Sequence, residues 1–152
     1  MKRTLSIILA SFIITIAMAG TPGEEKEMIK SVIQAAYVDG LQNNGDLDKT
    51  RAGFHEGFNL LGVNNNNLTK FPIYTWIEYA GKKKMENPDP PSEEELVTCK
   101  FVDIDVTGHA AVAKIELHKG GKHIFTDYLS LYKFEEGWRI VSKIYYRIPE
   151  GS

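Results

Sequence analysis

From Glu95 to Ile148 the chain alternates between apolar and polar residues with little interruption. Four stretches, ELVTCKFVDIDVTG, HAAVAKIELHK, KHIFTDYLSLYKFEE and WRIVSKIYYRI, are rich in Val, Ile, Tyr and Phe. Thr107-Gly108, Gly120-Gly121 and Glu135-Glu136-Gly137 separate them. Period-two alternation broken by glycine turns predicts four antiparallel strands in a meander. This pattern restricts the chain to folds built on an open antiparallel sheet, and everything upstream must supply what covers it.

The upstream half reads differently. Met28, Ile29, Val32, Ile33, Ala36, Tyr37 and Leu41 recur at helical spacing and predict one helix over 24–43. NNGD ends it, and Asp46 can cap a short second helix over 47–53. FNLLGV predicts a strand, and Asn64–Asn67 a turn, since asparagine tolerates positive φ. LTKFPIYTWIEYAGKKK predicts a third helix, with Thr69 or Lys70 near its cap, Pro72 in its first turn and Gly81 at its end. Lys82-Lys83-Lys84 complements the dipole at that end. ENPDPPSEEE is a surface loop. Helices first and a meander last make the class α+β, with three N-terminal-half helices packed on one face of a curved antiparallel sheet.

The turns fix an expected register. A two-residue Gly120-Gly121 loop pairs Lys119 with Lys122, His118 with His123, Glu116 with Phe125 and Lys114 with Asp127. A three-residue loop over 135–137 pairs Phe134 with Trp138, Leu129 with Lys143 and Asp127 with Tyr145. One face then holds Val112, Lys114, Glu116, Phe125, Asp127, Leu129, Leu131, Val141, Lys143 and Tyr145. The other holds Ile115, Leu117, Ile124, Tyr128, Tyr132, Phe134, Trp138, Ile140 and Tyr146. A bulge in either hairpin exchanges some of these assignments. Both faces are substantially apolar and the helices can cover only one, so a homodimer through the sheet is expected.

MKRTLSIILASFIITIAMA opens the sequence with Lys2 and Arg3, an apolar run from Leu5 to Met18, and small residues at Ala17 and Ala19. This predicts a secretory signal over 1–19, cleaved before Gly20, and a periplasmic or secreted domain over 20–152. The run is short for a spanning helix of about 20 residues. No cysteine lies near the cleavage point, so no lipoprotein anchor is expected, and no membrane attachment after cleavage. Removing Lys2 and Arg3 from the 18 basic residues leaves 16 against 20 acidic ones. No basic stripe invites nucleic acid. Cys99 is the single cysteine and predicts a buried small side chain.

Three side-chain groups carry possible chemistry. His55, in GFHEGFNLLGV, brings an imidazole, the side chain most used for proton transfer, and Asp127 could orient it as the partner in an acid–base pair. The alternative is structural, with His55 on a backbone carbonyl and Asp127 paired to Lys114 or Lys143. His118 and His123 face each other across the Gly-Gly turn with Glu116 two residues away. No third metal ligand is fixed by spacing, so no metal site is assigned. Trp76 falls on the apolar stripe of its helix, and Trp138 on the outer sheet face.

AGFHEGFNLLGV and TDYLSLYKFEEGWRIVSKIYYR resemble the bacterial group named "putative lumazine-binding", a cousin of the SnoaL-like polyketide cyclases. The order helix, helix, strand, helix, four strands resembles the cone-shaped nuclear transport factor two-like (cystatin-like) fold over residues 24–149. That resemblance implies a pocket between bent sheet and helices. His55 would lie near its mouth, Asp127 and Lys143 on strands able to face it, and Tyr37, Phe54, Phe58, Trp76 and Tyr79 in its walls. The reading is an exported, dimeric binder of an apolar or aromatic small molecule, requiring no cofactor. Two alternatives are a cofactor-free isomerase, cyclase or dehydratase with His55 or Asp127 as general base, and a protein-interaction module acting through the sheet face. The fold hosts many chemistries and does not choose among them.

Overall fold

The computed structural model describes residues 20–149; the expected leader over 1–19 lies outside the described residues. Helix α1 spans Pro22–Val32 and opens with a capping box. The Thr21 hydroxyl accepts from the Glu24 amide while the Glu24 carboxylate accepts from the Thr21 amide. From Ile33 to Gln42 the backbone widens into a π-helix. The extent expected for one helix is therefore filled, but by two windings. The wider turn buries Ala36, Tyr37 and Val38 in succession.

Asn43 then ties the helix end to the sheet: its side-chain amide donates to the Val97 carbonyl and accepts from the Val97 amide, both at 2.8 Å. Asp46 caps α2, Leu47–Gly53, as expected. Buried Thr50 of α2 donates to the Ala36 carbonyl at 3.0 Å. Gly53 abuts the Ala36 methyl with no room for a side chain.

Strand β1 is Phe54–Asn64, and β2 is Asn67–Pro72. Asn65 and Asn66 take positive φ between them, which asparagine tolerates. The stretch 68–72 was expected to begin a helix, but it pairs antiparallel with β1 from Asn59↔Pro72 to Asn64↔Asn67. The asparagine turn is a hairpin, and Leu68 to Pro72 are its return arm. Helix α3, Ile73–Glu86, starts only after Pro72 and runs past Gly81 to Asn87. Gly81 lies where the Leu47 side chain of α2 approaches.

The meander follows: β3 Val97–Thr107, β4 Ala110–Lys119, β5 Lys122–Phe134 and β6 Gly137–Arg147. Six strands form one sheet in the order β2-β1-β6-β5-β4-β3. Only β1–β6 is parallel. The sheet is mixed, with one more strand than the sequence suggested.

Two bulges correct the expected register. Lys119↔Lys122 and His118↔His123 form as written, but the register then shifts and Leu117 faces Phe125, Glu116 faces Thr126 and Ile115 faces Asp127. Lys114 is moved off Asp127 and lies over the Tyr128 ring instead. In the next hairpin Phe134 pairs Gly137 and Lys133 pairs Trp138, not Phe134 with Trp138. A shift at Ser130/Leu131 then restores Leu129↔Lys143 and Asp127↔Tyr145 as expected. The inner face therefore carries Ile115, Leu117, Asp127, Leu129, Leu131, Ile140 and Lys143, all buried. Trp138 joins them, not the outer face. It is 3% exposed and its indole N–H donates to Glu25 at 2.6 Å.

Glu25 also accepts from the Lys133 ammonium at 2.6 Å, so one carboxylate joins α1 to both arms of the β5–β6 hairpin. The Lys133 hydrogen bond, then that of Trp138, holds the Glu25 carboxyl below the usual carboxylate range. A carboxylate whose folded pKa is depressed stabilises the fold above its unfolded pKa and loses that contribution as pH falls through the folded value. Glu25→Gln should lower the melting temperature at pH 7. The gap from wild type should close as pH falls below about 4.5. Melting followed by circular dichroism across pH 3–7 checks this, and a gap independent of pH would exclude an ionic role.

Candidate functional site

At the centre of the inner sheet face, Tyr37 of the π-helix, Asp127 of β5 and Lys143 of β6 meet. Asp127 is fully buried, Tyr37 is 1% exposed and Lys143 is 4% exposed. The Lys143 ammonium donates to Asp127 Oδ2 at 2.8 Å and to the Tyr37 hydroxyl at 2.6 Å. Tyr37 donates to the same Oδ2 at 2.7 Å. The π-winding turns Tyr37 inward, and the β5–β6 register brings Lys143 to the Asp127 row. Burial pushes the Lys143 ammonium below the usual lysine range, and the Asp127 charge opposes that shift. Burial, then Asp127, raises the Tyr37 phenol well above its usual value, so it stays a donor.

Asp127 Oδ1 is buried and has no hydrogen-bond partner among the described residues. Its orphan state matters because a buried acceptor left unpaired carries the full desolvation penalty, roughly 1–3 kcal/mol and more for a charged group. An ammonium has three N–H groups, and two of Lys143's are used within the triad. Within the cluster Asp127 thus keeps one unused acceptor, and Lys143 one N–H beyond its two bonds.

Aromatic rings surround these polar atoms. The Lys143 nitrogen lies 4.8 Å from the Tyr37 ring centre, 5.1 Å from Tyr145, 5.8 Å from Trp76 and 6.0 Å from Phe125. Trp76, Phe125 and Tyr145 are partly exposed. Phe54 and Phe58 pack edge to face behind Tyr37 and are buried. Cys99 is half-buried, and its thiol is pushed up to about 12 by burial and then by Asp127. It is no thiolate nucleophile near neutrality.

Of the residues expected at the site, Tyr37, Phe54, Phe58, Trp76, Asp127 and Lys143 come together. Tyr79 does not: it is exposed and stacks on Phe71. His55 does not join Asp127 either. Phe54 pairs with Ile140 on β6, five residues before the Tyr145 that faces Asp127. At about 3.3 Å per residue that is roughly 16 Å along the strand. His55 instead stacks on Phe134 at 4.8 Å and accepts the Gly57 amide on Nδ1 at 3.0 Å. It lines a separate cleft of about 940 Å³ on the flank, between α2, α3 and the starts of β1 and β6, with Arg51, Ile77 and Arg139. The acid–base pair of His55 with Asp127 is thus not assembled. Sequence reasoning missed Phe125 and Tyr145 as neighbours of the triad. Their alternation with Asp127 and Lys143 was visible, but no sequence signal separated partly exposed rings from the core.

Breaking one partner of this buried pair strands the other charge. Asp127→Ala and Lys143→Met should each lose about 3–5 kcal/mol in urea unfolding. The double variant Asp127→Leu/Lys143→Met should recover much of the loss. Strictly additive losses would show that the pair is not coupled.

The family model described as "Putative lumazine-binding" matches residues 24–146. A solved NTF2-like protein of unknown function from Shewanella baltica OS155 is 30% identical, covering 87% of this chain and 100% of that one, with a TM-score of 0.67. A second, from Silicibacter pomeroyi DSS-3, is 20% identical over 85% of this chain and 100% of that one, again at 0.67. A protein titled a putative dehydratase of the NTF2-like family from Streptomyces avermitilis shares the fold at 11% identity and a TM-score of 0.56. It is covered over 99% of its length and 84% of this chain. No curated protein matches.

Proposed function

We propose, because this chain belongs to the NTF2-like family described as "Putative lumazine-binding", that it is an exported, dimeric small-molecule-binding protein whose ligand docks on the Tyr37–Asp127–Lys143 triad. The observation that carries the reading is the unpaired, buried Asp127 Oδ1 beside the spare N–H of Lys143. An acceptor and a donor side by side match the N–H/C=O edge of a lactam or imide. Trp76, Phe125 and Tyr145 match the flat face of a heteroaromatic ring. A cyclic imide heterocycle such as lumazine satisfies both.

Export rests on the sequence of residues 1–19. Dimerisation rests on the outer sheet face, where Val112, Tyr128, Tyr132, Ile144 and Tyr146 stay exposed and no helix among the described residues covers them. Among the described residues no helix is long and apolar enough to cross a membrane.

Native mass spectrometry of the protein purified from its own host reads all three parts. The expected species is a dimer of chains beginning at Gly20 with a small-molecule adduct. Titration with lumazine should quench tryptophan fluorescence, and Asp127→Asn and Lys143→Met should each weaken Kd at least about tenfold, or 1.4 kcal/mol. His55→Ala, on the flank, should leave Kd unchanged. A monomer beginning at Met1 would overturn export and dimerisation. Absence of both adduct and lumazine binding would overturn the ligand reading. Loss of binding in His55→Ala alone would move the ligand to the flank cleft.

A further inference from the structure

The β4–β5 hairpin carries a cluster that neither the cone nor the flank cleft uses. Glu116 and His118 are two residues apart on β4 and share its outer face, and His123 stands opposite His118. One donor atom from each of the three lies within 4.8 Å of the others, and all three residues are half-buried. The imidazoles stack at 5.0 Å with an interplanar angle of 28°. Two imidazoles and a carboxylate are the donor set of borderline divalent ions. We infer that Glu116, His118 and His123 bind a divalent transition-metal ion of the zinc class, leaving the fourth position to water or an exogenous ligand.

The surroundings are arranged for ligation. His123 Nε2 lies 2.9 Å from the Phe125 carbonyl and 3.1 Å from the Thr126 hydroxyl. Donation of Nε2–H to that carbonyl leaves Nδ1 as the lone-pair nitrogen, and a carbonyl on the far ring nitrogen is the usual partner of a metal-bound histidine. One Glu116 oxygen accepts from Lys100 at 3.0 Å, and the other remains available. The bulge in this hairpin contributes directly. Without it Glu116 would face Phe125; with it Glu116 faces Thr126, and the outer face at the cluster stays polar.

Donors on a tetrahedral zinc with bonds of about 2.0–2.1 Å stand roughly 3.4 Å apart. The present spacing of up to 4.8 Å must close by a little over 1 Å, and the three side chains sit near the end of a hairpin, half-buried rather than packed in the core.

The test is calorimetric titration of the protein with Zn2+, repeated with Co2+ and read by visible absorption. One saturable site per chain is expected, with a Co2+ band characteristic of four or five ligands. His118→Ala and His123→Ala should each weaken affinity at least about tenfold. His109→Ala, on another turn, should change nothing. Zn2+ should also raise the melting temperature of the wild type but not of His118→Gln/His123→Gln, which keeps side chains of similar reach. No saturable uptake, uptake unchanged in the histidine variants, or equal loss in His109→Ala would overturn the assignment. The cluster lies outside the cone, so either result is independent of the ligand reading above.

Discussion

An ammonium and a carboxylate sit at the centre of the inner sheet face, almost wholly removed from bulk solvent. Lys143 and Asp127 are tolerable there because they hold each other and because Tyr37 is brought against both. Tyr37 reaches them only because the first helix widens after Val32. That widening is fixed at its far end by Asn43 on Val97, and from the side by Thr50 on Ala36. The helical layer and the sheet are thus tied together around one polar contact, with buried apolar side chains and partly exposed aromatic rings packed about it.

The register shifts of the β4–β5 and β5–β6 hairpins decide which residues share this interior. Each adds one residue to one strand, and one residue is enough to exchange the faces of a strand. The first turns Ile115 and Leu117 inward and leaves Lys114 outside. The second brings Trp138 and Ile140 to the core while keeping Lys143 in the Asp127 row. The same device therefore fills the core beside the triad and clears an outer polar corner at Glu116, His118 and His123.

Long-period features were legible in the sequence and short ones were not. The meander, the helix over 24–43, the Asp46 cap and the asparagine turn follow from periodicity and from residues with strong local preferences. Strand β2 was hidden because Leu68 to Pro72 is five residues long and runs straight into a helical stripe. The helix also outran Gly81, because α2 packs there and compensates for a weak helix former. Bulges leave no compositional mark, so the pairing of Asp127 with Lys143 was one of two options until the register was known. His55 lay in a motif that resembled the family's, yet its neighbour Phe54 is the one that packs on Tyr37, while His55 stacks on Phe134 in the flank cleft.

The parallel pairing of β1 with β6 joins the first strand made to the last. Phe54 finds Ile140, and Leu60 finds Lys143, only when nearly the whole chain is present. The β1–β2 hairpin can form early but has no sheet to join, and the layer of helices above it has no floor. Closing such a long-range contact is slow, because the loop entropy is spent before the contact returns it. The sheet is consequently complete only once the C-terminal strand has been made, and Lys143, carried by that strand, is the last member of the triad to arrive.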